Sequence, residues 1–406
     1  MIGVYYSVLL AGGAFLASML AALDRVVRED SSKRVRMKPK RYSTAGLIVN
    51  SCLTAVRRES PAPGRETRMT RPRKEQFSGC LVGQCLGDAL GAPVEGYPRS
   101  VCQQYVDQNL NADLLKDHDR HLLSFGQYTD DSQLARELLE SYVASGHFEP
   151  RDFAKRIAAI FAEGRIIRPG RATSEAARRL MQGMAWDEAG TPPPSAGNGS
   201  AMRAAPIGLF FFDNDEQLIR AARDQGRITH KDERCSAGAV AIAGAVALAL
   251  QNDAVKVPYF LSQLSQWTST IEPSLATGLR QLIEWVSLPP EEAAGIVCRV
   301  GLDAETAEEW NGISPFVTCS VLWSLYSFLR TPEDYWRTIC TAIAVGGDVD
   351  TTAAMAGAIS GAHLGLEAIP QNLTSRLTDQ GAWGLEQLVE LAHRAYEIKL
   401  RQARTN

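Results

Sequence analysis

Four glycines, Gly79, Gly83, Gly87 and Gly91, stand four residues apart in FSGCLVGQCLGDALG, and Gly357, Gly361 and Gly365 repeat the interval near the other end of the chain. Residues four apart share one face of a helix. A glycine inside a helix costs about 0.5–1 kcal/mol relative to alanine, so a stripe of them needs a compensating contact. Close backbone approach by a second helix supplies one. The competing reading makes both segments loops.

The rest of the pattern favours helices. DDSQLARELLESYVAS repeats apolar residues at helical spacing through Leu134, Leu138, Leu139, Tyr142 and Val143, and RDFAKRIAAIFAEG does the same. PSLATGLRQLIEWV and GLEQLVELAHRAYEIKLRQ read as amphipathic helices, whereas CSAGAVAIAGAVALAL is apolar on every face and reads as a buried central helix. No series of alternating β-branched runs supports a sheet. Residues 75–400 are therefore expected to form one large all-α domain.

The first 74 residues differ. Positions 1–23 carry no charge and are long enough to span a bilayer, without the basic start of a signal peptide. A basic tract and the Pro/Gly/Arg-rich stretch RRESPAPGRETRMTRPRKEQ follow, with a linker's composition. Three readings stay open: a membrane anchor with a cytoplasmic basic flank, a translated upstream region with the true start at Met69, or a partner-binding extension. The domain itself is expected to be cytoplasmic and monomeric, meeting a membrane only if residues 1–23 are genuine.

Composition narrows the chemistry. A net charge of −3 gives no general reason to expect a nucleic-acid partner. Eight cysteines and six histidines are scattered without zinc spacing, so any metal must be held by carboxylates. YTDDS and GGDVDTT each lead into a helix, expected to start near Ser132 and Thr351. One acid at such a place is an ordinary N-cap. Two at each, Asp130 with Asp131 and Asp348 with Asp350, would repel one another if buried unless a cation neutralised them. Oxygen-only ligands select Mg²⁺, Mn²⁺ or Ca²⁺. Between them lies TPPPSAGNGSAMRAAPIGLF, whose glycines and expected helix start near Ser200 are either a plain N-cap loop or an anion site.

Taken together, GCLVGQCLGDALGAPVEG, YTDDSQLA, GNGSAMRAAPIGL, ITHKDERCSAGAVAIAGAVA and GGDVDTTAAMAGAISGA resemble the ADP-ribosylglycohydrolase family over roughly residues 76–398. The resemblance implies a single orthogonal helical bundle with a cleft for two Mg²⁺ or Mn²⁺ ions. It implies that Thr129, Asp130 and Asp131 ligate one ion, Asp348 and Thr351 the other, and that Asp350 bridges them. Glu95 matches the acid beside the metals, the alternative being a solvated loop acid. Gly197, Asn198, Gly199 and Ser200 match the loop that holds the diphosphate of ADP-ribose. His230 matches a cleft histidine, with a capping or core role still open. One departure is Val349, where threonine is frequent. The implied activity is hydrolysis of the bond between ADP-ribose and a protein side chain or small conjugate. A catalytically silent ADP-ribose binder and an immunity-type partner-binding protein remain as rivals.

Overall fold

The computed structural model describes residues 72–110, 125–302 and 310–405; the expectations for the N-terminal extension lie outside these. Among the described residues sixteen α-helices carry the fold: α1 (Lys74–Gly91), α2 (Arg99–Tyr105), α3 (Asp130–Ser145), α4 (Pro150–Ala162), α5 (Arg171–Met181), α6 (Ala205–Phe211), α7 (Asp215–Arg227), α8 (Glu233–Gln251), α9 (Val257–Thr268), α10 (Pro273–Trp285), α11 (Pro290–Val297), α12 (Val317–Arg330), α13 (Tyr335–Ala344), α14 (Val349–Leu364), α15 (Gln371–Thr374) and α16 (Leu385–Thr405). Among the described residues β pairing is confined to isolated bridges, so the fold is all-α as expected.

The two glycine stripes face each other. A Cβ on Gly79 would lie 2.4 Å from the Gly361 carbonyl oxygen, one on Gly83 2.5 Å from that of Gly357, and one on Gly87 2.2 Å from that of Ala353. The partner number falls as the α1 number rises, so α1 and α14 run antiparallel with their backbones in contact. At the end of the seam a Cβ on Gly91 would stand 2.5 Å from Asp350 Cα. The stripe therefore leads straight to one of the acids. Close approach brings dispersion and Cα–H···O contacts, the compensation that the helical glycines require.

Around this pair the other elements close the core. Helix α8 packs on α6, α7, α9, α12 and α14. It is buried from Cys235 to Leu250, on every face. It is the one helix among the described residues long and apolar enough to cross a membrane, and 89% of its apolar window is buried inside the fold, as in a core helix. Helix α16 covers α1 and α3, with Tyr396 edge-on to Phe77.

Candidate active site

The acid clusters sit at two helix N-termini. Helix α3 begins at Asp130 and α14 at Val349, each two residues earlier than the sequence suggested. Neither N-cap residue, Thr129 or Asp348, caps with its own side chain. At α3 the cap comes from elsewhere. Asp88 of α1 accepts the Thr129 N–H at 3.0 Å and the Ser132 N–H at 3.1 Å. It also accepts the Thr129 hydroxyl at 2.9 Å. A carboxylate from a neighbouring helix thus satisfies the N–H groups that the first turn leaves free, and it releases Asp130 and Asp131 from capping. The sequence reading missed Asp88. Its signal was a lone acid in FSGCLVGQCLGDALG, a run with no other charged residue.

Two backbone fastenings set the opposite wall. The Gly96 N–H donates to the Gly347 carbonyl at 2.8 Å and the Gly347 N–H to the Tyr97 carbonyl at 3.0 Å. On its other flank the Asp348 N–H donates to the Ile313 carbonyl at 2.8 Å. Gly347 has φ 86° and no room for a Cβ, which would meet the Ile313 oxygen at 2.2 Å. This clamp brings Glu95 to the acids of α14. Carboxylate oxygens of Glu95, Asp348 and Asp350 lie within 4.8 Å of one another, a group that could hold a metal ion.

Electrostatics tie the two clusters into one site. Burial, then the charge of Asp88, raises Asp130 well above the usual carboxylate range. Burial, then Asp88 and Asp130, does the same to Asp131. Burial, then Glu95 and Asp348, raises Asp350. Asp88 and Asp348 are pushed up to about 6, again chiefly by burial. Hydrogen bonding by the Thr351 hydroxyl works the other way, lowering both Asp131 and Asp348. Asp131 Oδ1 is buried and makes no hydrogen bond. An orphaned carboxylate oxygen among acids that repel one another, all hard oxygen donors, fits a divalent cation of the Mg²⁺ type.

The glycine loop is built differently from the expectation. Asn198–Ser200 form a single 3-10 turn, and the next helix starts at Ala205, with Pro206 in its first turn. Ser200 is fully buried, its hydroxyl donates to the Cys235 carbonyl at 2.9 Å and its carbonyl accepts from Gln225 Nε2 at 2.8 Å, so it faces the interior and not a ligand. Asn198 Nδ2 donates to Asp348 Oδ2 at 2.5 Å and to Ser320 Oγ at 3.0 Å. The loop therefore touches the acid site through Asn198. His230 lies beneath it. A Cβ on Gly199 would meet His230 Cε1 at 2.7 Å, so only glycine fits over the ring. Burial, then the Arg203 charge, lowers His230 to about 3, and the ring is neutral with Nδ1 2.8 Å from Thr229 Oγ1. Arg203 is a second residue the sequence reading passed over. It is fully buried, and its guanidinium donates to Gln225 and Thr229. Val349 is buried in the core, directed away from solvent.

The profile of the ADP-ribosylglycohydrolase family matches residues 69–404. The chain belongs to that family, whose members are hydrolases. It is 30% identical to the ADP-ribosylhydrolase ARH3 of Gallus gallus, over 82% of this chain and 96% of that one. It is 24% identical to the ADP-ribosylarginine hydrolase Tri1 of Pseudomonas putida, over 84% of this chain and 86% of that one. A solved structure titled an ADP-ribosylglycohydrolase-related protein complex superposes with a TM-score of 0.60 at 26% identity, over 81% of this chain and 99% of that chain.

Proposed function

We infer that the chain hydrolyses the glycosidic bond between ADP-ribose and a protein side chain or a small ADP-ribosyl conjugate. The observation that carries this reading is the convergence of Glu95, Asp348 and Asp350 at the end of the glycine seam in a member of this family. Thr129, Asp130 and Asp131 would hold one Mg²⁺ or Mn²⁺, Asp348 and Thr351 a second, and Asp350 both. Ions bound there supply Lewis acidity toward ribose hydroxyls and a lowered pKa for bound water.

The protein's own groups do the rest. Cleavage at ribose passes through an oxocarbenium-like state, and Glu95, at the mouth and still partly exposed, exchanges a proton with the water or the leaving group. The backbone N–H groups of Gly197 and Gly199 receive the diphosphate. The Asn198 side chain steadies Asp348. His230 remains neutral under the loop and supports its shape. The support for these roles is proximity and burial together with family membership. The chain is read as a monomer whose partner is the ADP-ribosylated protein or conjugate.

The test is release of free ADP-ribose from arginine-linked and serine-linked conjugates, with Mg²⁺ or Mn²⁺ and with EDTA. Metal-dependent release from either substrate is expected. No release from both, in the presence of either metal, would refute the reading.

A further inference from the structure

Arg168 is unusual on two counts. Its φ is 50°, a left-handed conformation that costs a residue with a Cβ about 1–2 kcal/mol. Its guanidinium also spans two partners on one segment. Nη1 donates to the Ala92 carbonyl at 2.8 Å and to Glu95 Oε2 at 3.2 Å.

The backbone around it is pinned to α3. The Asp130 N–H donates to the Ile167 carbonyl at 3.0 Å. The Ile167 N–H donates to Gln133 Oε1 at 2.8 Å, and the Gly170 N–H reaches Asp130 Oδ2 at 3.4 Å. The strained residue is thus fastened on both sides to the helix start that carries Asp130 and Asp131. Its side chain crosses from there to the segment that carries Glu95. Side chains of Arg168 and Glu95 remain 36% and 40% exposed, and an ion pair that wet adds little net stability. Stability does not account for holding an arginine in this conformation.

We propose that Arg168 is a positioning residue that holds the Glu95 carboxylate opposite Asp348 and Asp350. The Ala92 carbonyl fixes the guanidinium, and the guanidinium fixes the carboxylate. The clamp of Gly96 and Tyr97 on Gly347 already immobilises the Glu95 backbone, so side-chain rotation is the freedom that Arg168 removes. A reacting group misplaced by about 1 Å can lose about 10²-fold in rate. The proposal rests on Glu95 being the proton carrier.

The experiment uses Arg168→Gly, which deletes the guanidinium and relieves the left-handed strain, so the fold is expected to survive. In it kcat should fall about 10- to 100-fold while KM changes less than about threefold. Arg168→Lys, which keeps a cationic donor, should recover much of the loss. In a Glu95→Gln background, Arg168→Gly should cost nothing more. Wild-type kcat in Arg168→Gly, or a full additional loss in the Glu95→Gln background, would overturn the proposal. A readout independent of turnover is the crystal structure of Arg168→Gly, where the Glu95 carboxylate should leave its place beside Asp348 and Asp350. An unmoved carboxylate would overturn the proposal by itself. If the wild type releases no ADP-ribose from any conjugate, the proton-carrier reading fails and the crystal comparison alone decides the positioning role.

Discussion

Alanine at Gly87 tests the seam on which the site is built. The added Cβ would stand 2.2 Å from the Ala353 oxygen and 2.7 Å from its carbonyl carbon. Ordinary contact begins near 3.4 Å, and both obstructing atoms are backbone, so no rotamer change relieves the clash. Helices α1 and α14 must move apart by roughly 1 Å. Overpacking of this kind costs about 1–3 kcal/mol or more, against a helix-propensity gain of about 1 kcal/mol. Since relief takes a shift of whole helices, the upper end applies, for a net loss of about 2 kcal/mol. Gly295 in α11 is the matched control, because a Cβ there meets nothing within 4 Å. Gly295→Ala should raise stability by about 0.5–1 kcal/mol. For a domain of this size the two variants should depart from wild type by about −3 °C and +1 °C in Tm. Urea denaturation gives the free energies directly, with the slope checked for constancy. The two changes are chemically identical, so their opposite signs isolate the close approach. Equal or increased stability of Gly87→Ala would show that the helices do not meet at this distance.

Three further outcomes are expected. Asp350→Asn should abolish Mg²⁺-dependent hydrolysis and weaken Mg²⁺ binding while far-ultraviolet circular dichroism stays helical; a wild type that binds no Mg²⁺ by isothermal titration would refute the metal reading. His230, depressed to about 3 from an ordinary 6.5 or so, cannot take up the proton that the unfolded chain binds below about pH 6.5. It therefore removes stability as pH falls from there toward 3, at about 1.4 kcal/mol per pH unit. The Tm of His230→Gln relative to wild type should accordingly climb as the solution is acidified, and a flat difference would mean the ring is not buried and neutral. A chain starting at Met69 should be soluble, helical and as active as the full chain, since the family match begins at residue 69; aggregation or inactivity would make the extension structural.

The helical class and the raw materials of the site are legible in the linear order of residues. Heptad-like periodicity in α3, α4, α10 and α16 is a local property, set by which side chains recur every three or four residues. The apolar run of α8 announced a buried helix for the same reason, and the paired aspartates announced charge that needs a partner. The glycine stripes declared a close contact, but not its register, because periodicity names a face and never the face it meets. That Gly83 lies on Gly357 and Gly91 on Asp350 was decided by three-dimensional packing. So was the capping of α3 by Asp88, 41 residues away from Thr129 in sequence. Because Asp88 does the capping, the acids of α3 are not used as caps, and Asp131 Oδ1 is left without a hydrogen bond. The hydroxyl of Ser200, attractive in the linear string as a ligand donor, is turned inward to the Cys235 carbonyl, since a buried polar group must find a hydrogen-bond partner. The bond between Arg168 and Glu95, 73 positions apart, has no local signature at all. It exists because the loop of Arg168 is fastened to the start of α3, which Asp88 of α1 caps, while the segment of Glu95 follows α1 directly and is clamped to Gly347 ahead of α14.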